Sequence, residues 1–184
     1  DLNTAAFWQP CPPWQSLRNQ RHWRTCLPEL QTAVAQNYHR FTAGSPAHFP
    51  AQFKVTTAAV QAAIATSNTA NLKTAVAQLA GLGPGFTPAG DDYLLGVLLG
   101  LWATRPEVEV IELASVVLET AVPGTTQLSA AWLEAAARGE AWHAWHEFLE
   151  ALITKNNWRH HFNCILNQGA TSGIAALLGF TATA

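Results

Sequence analysis

The sequence has 184 residues, 49% of them hydrophobic and 12% charged, with a formal net charge of −2. That is enough apolar material for a well-filled core, and the lack of any lysine or arginine cluster excludes the electrostatic footprint of a nucleic-acid binder. Charged residues at about half the usual frequency, beside eight tryptophans, predict a surface that partly meets protein, in a homo-oligomer or a partner-bound state.

Along the chain, residues 1–23 carry Pro10, Pro12 and Pro13 among tryptophans and polar side chains, which predicts an extended arm packed through Trp8 and Trp14. Residues 24–184 read as a single helical domain. Pro28 suits a first helical turn, so a helix is expected over 28–41, broken by Gly44-Ser45-Pro46 and Phe49-Pro50. Alanine-rich helices follow over 56–66 and 70–80, the second capped by Asn68 or Thr69 and closed by Gly81. The stretch 93–103 is apolar nearly all round and predicts a central helix enclosed by the others. Further helices fit 107–121, 126–138, 140–153, 158–167 and 172–180. No stretch has the alternation or β-branched density of a strand. The expected fold is therefore all-α, a compact multi-helix bundle around a buried apolar central helix, with an extended N-terminal arm.

Cys11, Cys26 and Cys164 are odd in number and far apart, which suits neither a disulfide framework nor a zinc ribbon and points to a reducing compartment. No stretch resembles a secretory leader and the apolar run 93–103 is too short to cross a bilayer. A cytoplasmic protein away from membranes is expected. The sequence begins at Asp1 and contains no methionine, so its natural start is expected to lie elsewhere.

The chemistry concentrates in the glycine-rich loop at 81–92, Gly-Leu-Gly-Pro-Gly-Phe-Thr-Pro-Ala-Gly-Asp-Asp, which leads into the central helix. Glycines allow close backbone approach, prolines stiffen the turn, and a helix N-terminus attracts negative charge. Gly83, Gly85, Thr87 and Gly90 are thus candidates for contact with a small anionic substrate. The segment is neither a Walker loop nor a dinucleotide fingerprint, because no Gly-Lys-Ser/Thr follows and no strand precedes it. Asp91 and Asp92 exceed what capping one helix requires, and are the candidate catalytic pair, orienting a substrate N–H or a metal-bound water. The plainer alternative is a tight helix connection in which one of them is only a cap.

Two later segments also set small hydroxyl residues after a glycine at an expected helix start: Thr125, Thr126 and Ser129 after Gly124, and Thr171, Ser172 and Gly173 after Gly169. Each suits ordinary capping; together they predict three helix starts converging on one polar pocket. His143 and His146, with Glu147 and Glu150, have helical spacing for metal chelation, but a solvated face with Trp142, Trp145 and Leu149 turned inward fits better. His160 and His161 read as surface or helix-end residues. No nucleophile with a base is evident, so covalent catalysis is not indicated. No cofactor is demanded by a motif; magnesium is the candidate companion of a bound dianion.

The run 81–92 resembles the signature of a bacterial family long labelled as a domain of unknown function, whose best-understood members resemble the small subunit of oxamate carbamoyltransferase. Thr125-Thr126-x-x-Ser129, Ala-Arg-Gly at 137–139 and Thr171-Ser172-Gly173 resemble its later blocks. The family differs in usually carrying an additional N-terminal region, and in having histidine where this chain has Ala170. The resemblance implies a role in anaerobic allantoin breakdown, where oxalurate and phosphate become oxamate and carbamoyl phosphate. It leads to the expectation of a carbamoyltransferase-type subunit binding carbamoyl phosphate, phosphate or a small carboxylate at the loop. The competing expectation is a non-catalytic anion-binding or assembly subunit that docks onto catalytic partners.

Overall fold

The computed structural model describes residues 8–42 and 48–184. In chain order its helices are α1 (Trp14–Asn19), α2 (Leu27–Gln36), α3 (Tyr38–Thr42), α4 (Phe49–Ala65), α5 (Thr69–Leu79), α6 (Ala89–Thr104), α7 (Glu107–Ala121), α8 (Gln127–Ala137), α9 (His143–Thr154), α10 (Trp158–Leu166) and α11 (Ser172–Thr183). Short 3-10 segments, Arg21–Cys26 and Val122–Gly124, precede α2 and follow α7. Among the described residues there is no strand, so the fold is all-α. None of these helices is long and apolar enough to cross a membrane.

The expected central helix is α6, buried continuously from Ala89 to Ala103. Its main partner is α11, and small residues let the two backbones come close. A Cβ on Gly96 would stand 1.9 Å from the Ala176 carbonyl oxygen, and one on Gly179 would stand 2.0 Å from that of Tyr93. Only glycine fits either place, because such a carbon would overlap backbone. Around this pair, α1 and α8 pack on α6, while α2 and α10 pack on α11.

The expected extended arm over 1–23 is corrected by the structure from Trp14 onward; residues 1–7 lie outside the described part. Pro12 and Pro13 precede α1 rather than interrupt it, a placement in which the missing proline N–H is no loss. Trp14 still anchors the segment: its indole N–H donates to the Gly139 carbonyl at 2.7 Å. The helix expected over 28–41 is divided at Asn37, whose side-chain amide donates back to the Ala33 carbonyl at 2.9 Å and closes α2. Phe49-Pro50, expected as a breaker, opens α4 instead, with proline in its first turn. The other expected breaker, Gly44-Ser45-Pro46, lies outside the described residues.

Candidate functional site

After α5 the chain turns through residues 80–88 before α6 begins. Gly81, Gly83 and Gly85 have φ of +68°, +121° and +98°, in the region L side chains avoid. The Gly90 N–H donates to the Leu82 carbonyl at 2.9 Å, folding the loop onto the helix it introduces. Pro88 occupies the N-cap position of α6, so neither aspartate caps that helix.

Asp91 reaches backward instead. Its carboxylate accepts the Gly81 N–H at 2.9 Å and the Thr125 hydroxyl through its other oxygen. It thereby ties the end of α5, the start of α6 and the turn before α8 into one junction, at 2% exposure. Of the expected pair Asp91 and Asp92, Asp91 has both oxygens engaged within the chain and is not part of the cavity lining.

Asp92, about 100° further round the helix, has a different environment. It lines a cavity of about 430 Å³ and is 9% exposed. Its Oδ2 is buried with no hydrogen-bond partner in the chain. Burial drives its carboxyl up from 3.8 to about 7; the Ser172 hydroxyl opposes the rise, the Asp91 charge adds to it, and the Thr87 hydroxyl opposes it. Thr87 Oγ1 and Ser172 Oγ are 3.0 Å apart, sharing a hydrogen bond across the cavity wall. Gln168 adds an amide, and Leu95, Trp132 and Trp142 supply the apolar wall, the two indoles meeting edge to face at 5.7 Å. The Trp142 indole N–H is also buried without a partner. Among the described lining residues there is no lysine, arginine or histidine.

The glycine-rich loop meets both later hydroxyl segments. It touches the second through Thr87 and Ser172, and the first through Asp91 with Thr125 and through the Thr126 hydroxyl, which donates to the Phe86 carbonyl at 2.7 Å. Of the sequence-selected residues, Thr87, Asp92, Ser172 and Gly173 line the cavity; Gly83, Gly85, Gly90, Thr125, Thr126, Ser129 and Thr171 do not. Thr126 caps α8 by accepting the Ser129 N–H at 3.1 Å, and Thr171 takes the N-cap position of α11 without a side-chain cap bond. The Ser129 hydroxyl is buried and unpartnered. Gly90 serves packing, since a Cβ there would stand 2.0 Å from the Leu79 carbonyl oxygen. Gly85 faces open space with no neighbour within 4 Å of such a carbon. Leu95, Trp132, Trp142 and Gln168 also line the cavity, and no sequence signal marks them for it.

His143 pairs with Glu147 at 3.2 Å, as does His161 at 3.4 Å, whereas His146 is half-buried, its Nε2 3.1 Å from the Pro10 carbonyl. Among the described residues no cluster of three or more histidine, cysteine, aspartate or glutamate side chains could hold a metal. A larger groove of about 640 Å³, with Tyr38, Lys54, Gln61 and Tyr93 in its walls, contains none of the selected residues. Its buried phenol, Tyr93, is already engaged, accepting from Gln61 at 3.1 Å. The Asp92 cavity holds an unsatisfied buried acceptor, and unsatisfied buried groups mark places where a ligand can repay their desolvation.

Fold and site together define an all-helical protein with a small polar cavity, built around a buried carboxyl in the first turn of its central helix. Consistent with this, residues 79–184 match the family model for oxamate carbamoyltransferase subunit AllH, a span that holds the whole glycine-rich loop and everything after it. The chain belongs to that family of oxamate carbamoyltransferase subunits. No solved structure matches it.

Proposed function

We propose that this chain, as a subunit of an oxamate carbamoyltransferase, holds the amide end of the small substrate in the Asp92 cavity. The observation that carries the reading is Asp92 itself, a buried carboxyl with one oxygen unpartnered, flanked by the hydroxyls of Thr87 and Ser172. A carbamoyl or oxamate amide offers N–H donors to that oxygen and a carbonyl oxygen that can accept from a hydroxyl or from the buried Trp142 indole N–H. Leu95, Trp132 and Trp142 exclude water from the planar group, which strengthens each polar contact.

A phosphate dianion suits this lining poorly. It would meet a carboxylate and no compensating cation, and burying like charges together costs several kcal/mol. The anion contact expected at Gly83, Gly85 and Gly90 gives way in this reading to recognition of a neutral amide by Asp92. Positioned donors and acceptors of this kind stabilise charge developing on a carbamoyl oxygen without a covalent nucleophile.

Calorimetric titration of the assembled enzyme tests this. Oxamate should bind, oxalate should bind at least tenfold more weakly because a second carboxylate replaces the amide, and Asp92→Asn should weaken oxamate tenfold or more. Unchanged oxamate affinity in Asp92→Asn would refute the assignment.

A further inference from the structure

The cavity opens beside a surface that a subunit standing alone has no reason to expose. Phe86, at the turn of the glycine-rich loop, is 84% exposed, and Leu128 and Trp132 on α8 are 48% and 41% exposed. Phe86 and α8 are joined through the backbone. The Thr126 hydroxyl ties the Phe86 backbone to the start of α8, and Leu128 and Trp132 lie four residues apart on one face of that helix. Trp132 belongs to both features, since it also forms part of the cavity wall. Apolar groups grouped in this way at the mouth of a site mark contact with another protein.

The occupant follows from the cavity's charge. Its ligand, on the reading above, carries a carboxylate or phosphate beyond the amide, yet no cationic side chain lines the site among the described residues. An anion brought next to Asp92 therefore needs positive charge from outside the chain. The matched family is a subunit of an enzyme, which assigns the cation to another of its subunits rather than to a second copy of this chain. We infer that another subunit of the carbamoyltransferase docks on Phe86, Leu128 and Trp132, closing the Asp92 cavity and placing a lysine or arginine in it, so that the site is shared between subunits.

The docking surface stands on exposure and on the link between Phe86 and the start of α8; the choice of occupant and the donated cation rest on the proposed ligand reading. Co-purification and sedimentation of the enzyme with Phe86→Asp or Leu128→Asp test the first part. Each side chain is exposed, so the melting temperature of the chain should stay within about 2 °C of wild type, while subunit affinity should fall tenfold or more. Val55→Asp, on α4 and also exposed, should leave assembly unchanged. Assembly at wild-type affinity in both loop and α8 variants overturns the docking surface, as does an equal loss in Val55→Asp. A dimer of this chain alone that the same two substitutions dissociate overturns the choice of partner.

For the second part, oxamate should bind the assembled enzyme at least tenfold more tightly than the chain alone. Equal affinity, or binding to neither, overturns the donated cation. Asp92→Asn should assemble normally, so failure of the ligand reading and failure of the docking surface are read from different variants.

Discussion

Asp92 should make the stability of the chain depend on pH in a direction opposite to that of most carboxylates. Its carboxyl is raised by burial from 3.8 to about 7, so between those values the folded state holds a proton that the unfolded state has released. Stability then falls as pH rises. Below about pH 4 both states are protonated and the residue carries no penalty; above about pH 7 both are ionised and the penalty is complete. At about 1.4 kcal/mol per pH unit over that interval, it approaches roughly 4 kcal/mol. Asparagine has the shape of the protonated acid and never ionises. Urea denaturation of wild type and Asp92→Asn at intervals from pH 4 to pH 8 should show nearly equal stability at the acid end. The variant should gain steadily, becoming about 3–4 kcal/mol more stable at pH 8. A constant difference across the range, or a wild type that gains on the variant as pH rises, would refute the assignment of a strained buried carboxyl.

Two further substitutions separate scaffold from site. Thr125→Val removes a hydrogen bond to Asp91 and leaves a 2% exposed carboxylate with the Gly81 N–H as its remaining partner. It should cost about 2–3 kcal/mol, read as a drop of roughly 4–12 °C in melting temperature; a drop under about 2 °C would show that the junction does not bear on stability. Gly179→Ala forces a carbon to within 2.0 Å of the Tyr93 carbonyl oxygen and should cost about 3 kcal/mol or more, or abolish soluble expression. Gly85→Ala meets no neighbour and should cost only about 1–2 kcal/mol for its positive φ. Equal losses in the two alanine variants would contradict the close packing of α6 on α11.

The helices were legible where periodicity and capping agreed. Asn68 accepts from the Asn71 N–H at 2.9 Å to start α5 as expected, and the all-round apolar stretch is the buried α6. The differences at the prolines share one cause. Pro12, Pro13 and Pro50 suggest interruptions of helix, yet each stands before or within the first turn of one, where proline is tolerated, and sequence alone does not say on which side of a boundary a proline lies. At the site, the three glycine-hydroxyl segments were visible as local motifs. The walls were not, because Trp132 and Trp142 belong to a region whose aromatic spacing is equally that of core. Trp142, expected to face inward, packs on Trp145 and also faces the cavity.

Adjacent residues of the loop divide between support and contact, which explains why the segment tolerates such costly backbone. A Cβ on Gly81 would stand 2.6 Å from the Gly124 carbonyl oxygen, and one on Gly83 2.9 Å from the Ala89 nitrogen. These close approaches bring the loop against the turn before α8 and the start of α6, where Asp91 can bond Gly81 and Thr125 at once. With Asp91 fixed, the helical rotation to the next residue sets Asp92 in the cavity. The same alternation operates earlier in the loop: the Phe86 side chain projects outward while Thr87 turns to Ser172. The backbone between them is held by Thr126, so displacement of Phe86 by a docking subunit would be felt at Thr87, one peptide unit away, and through it at the hydroxyl pair beside Asp92.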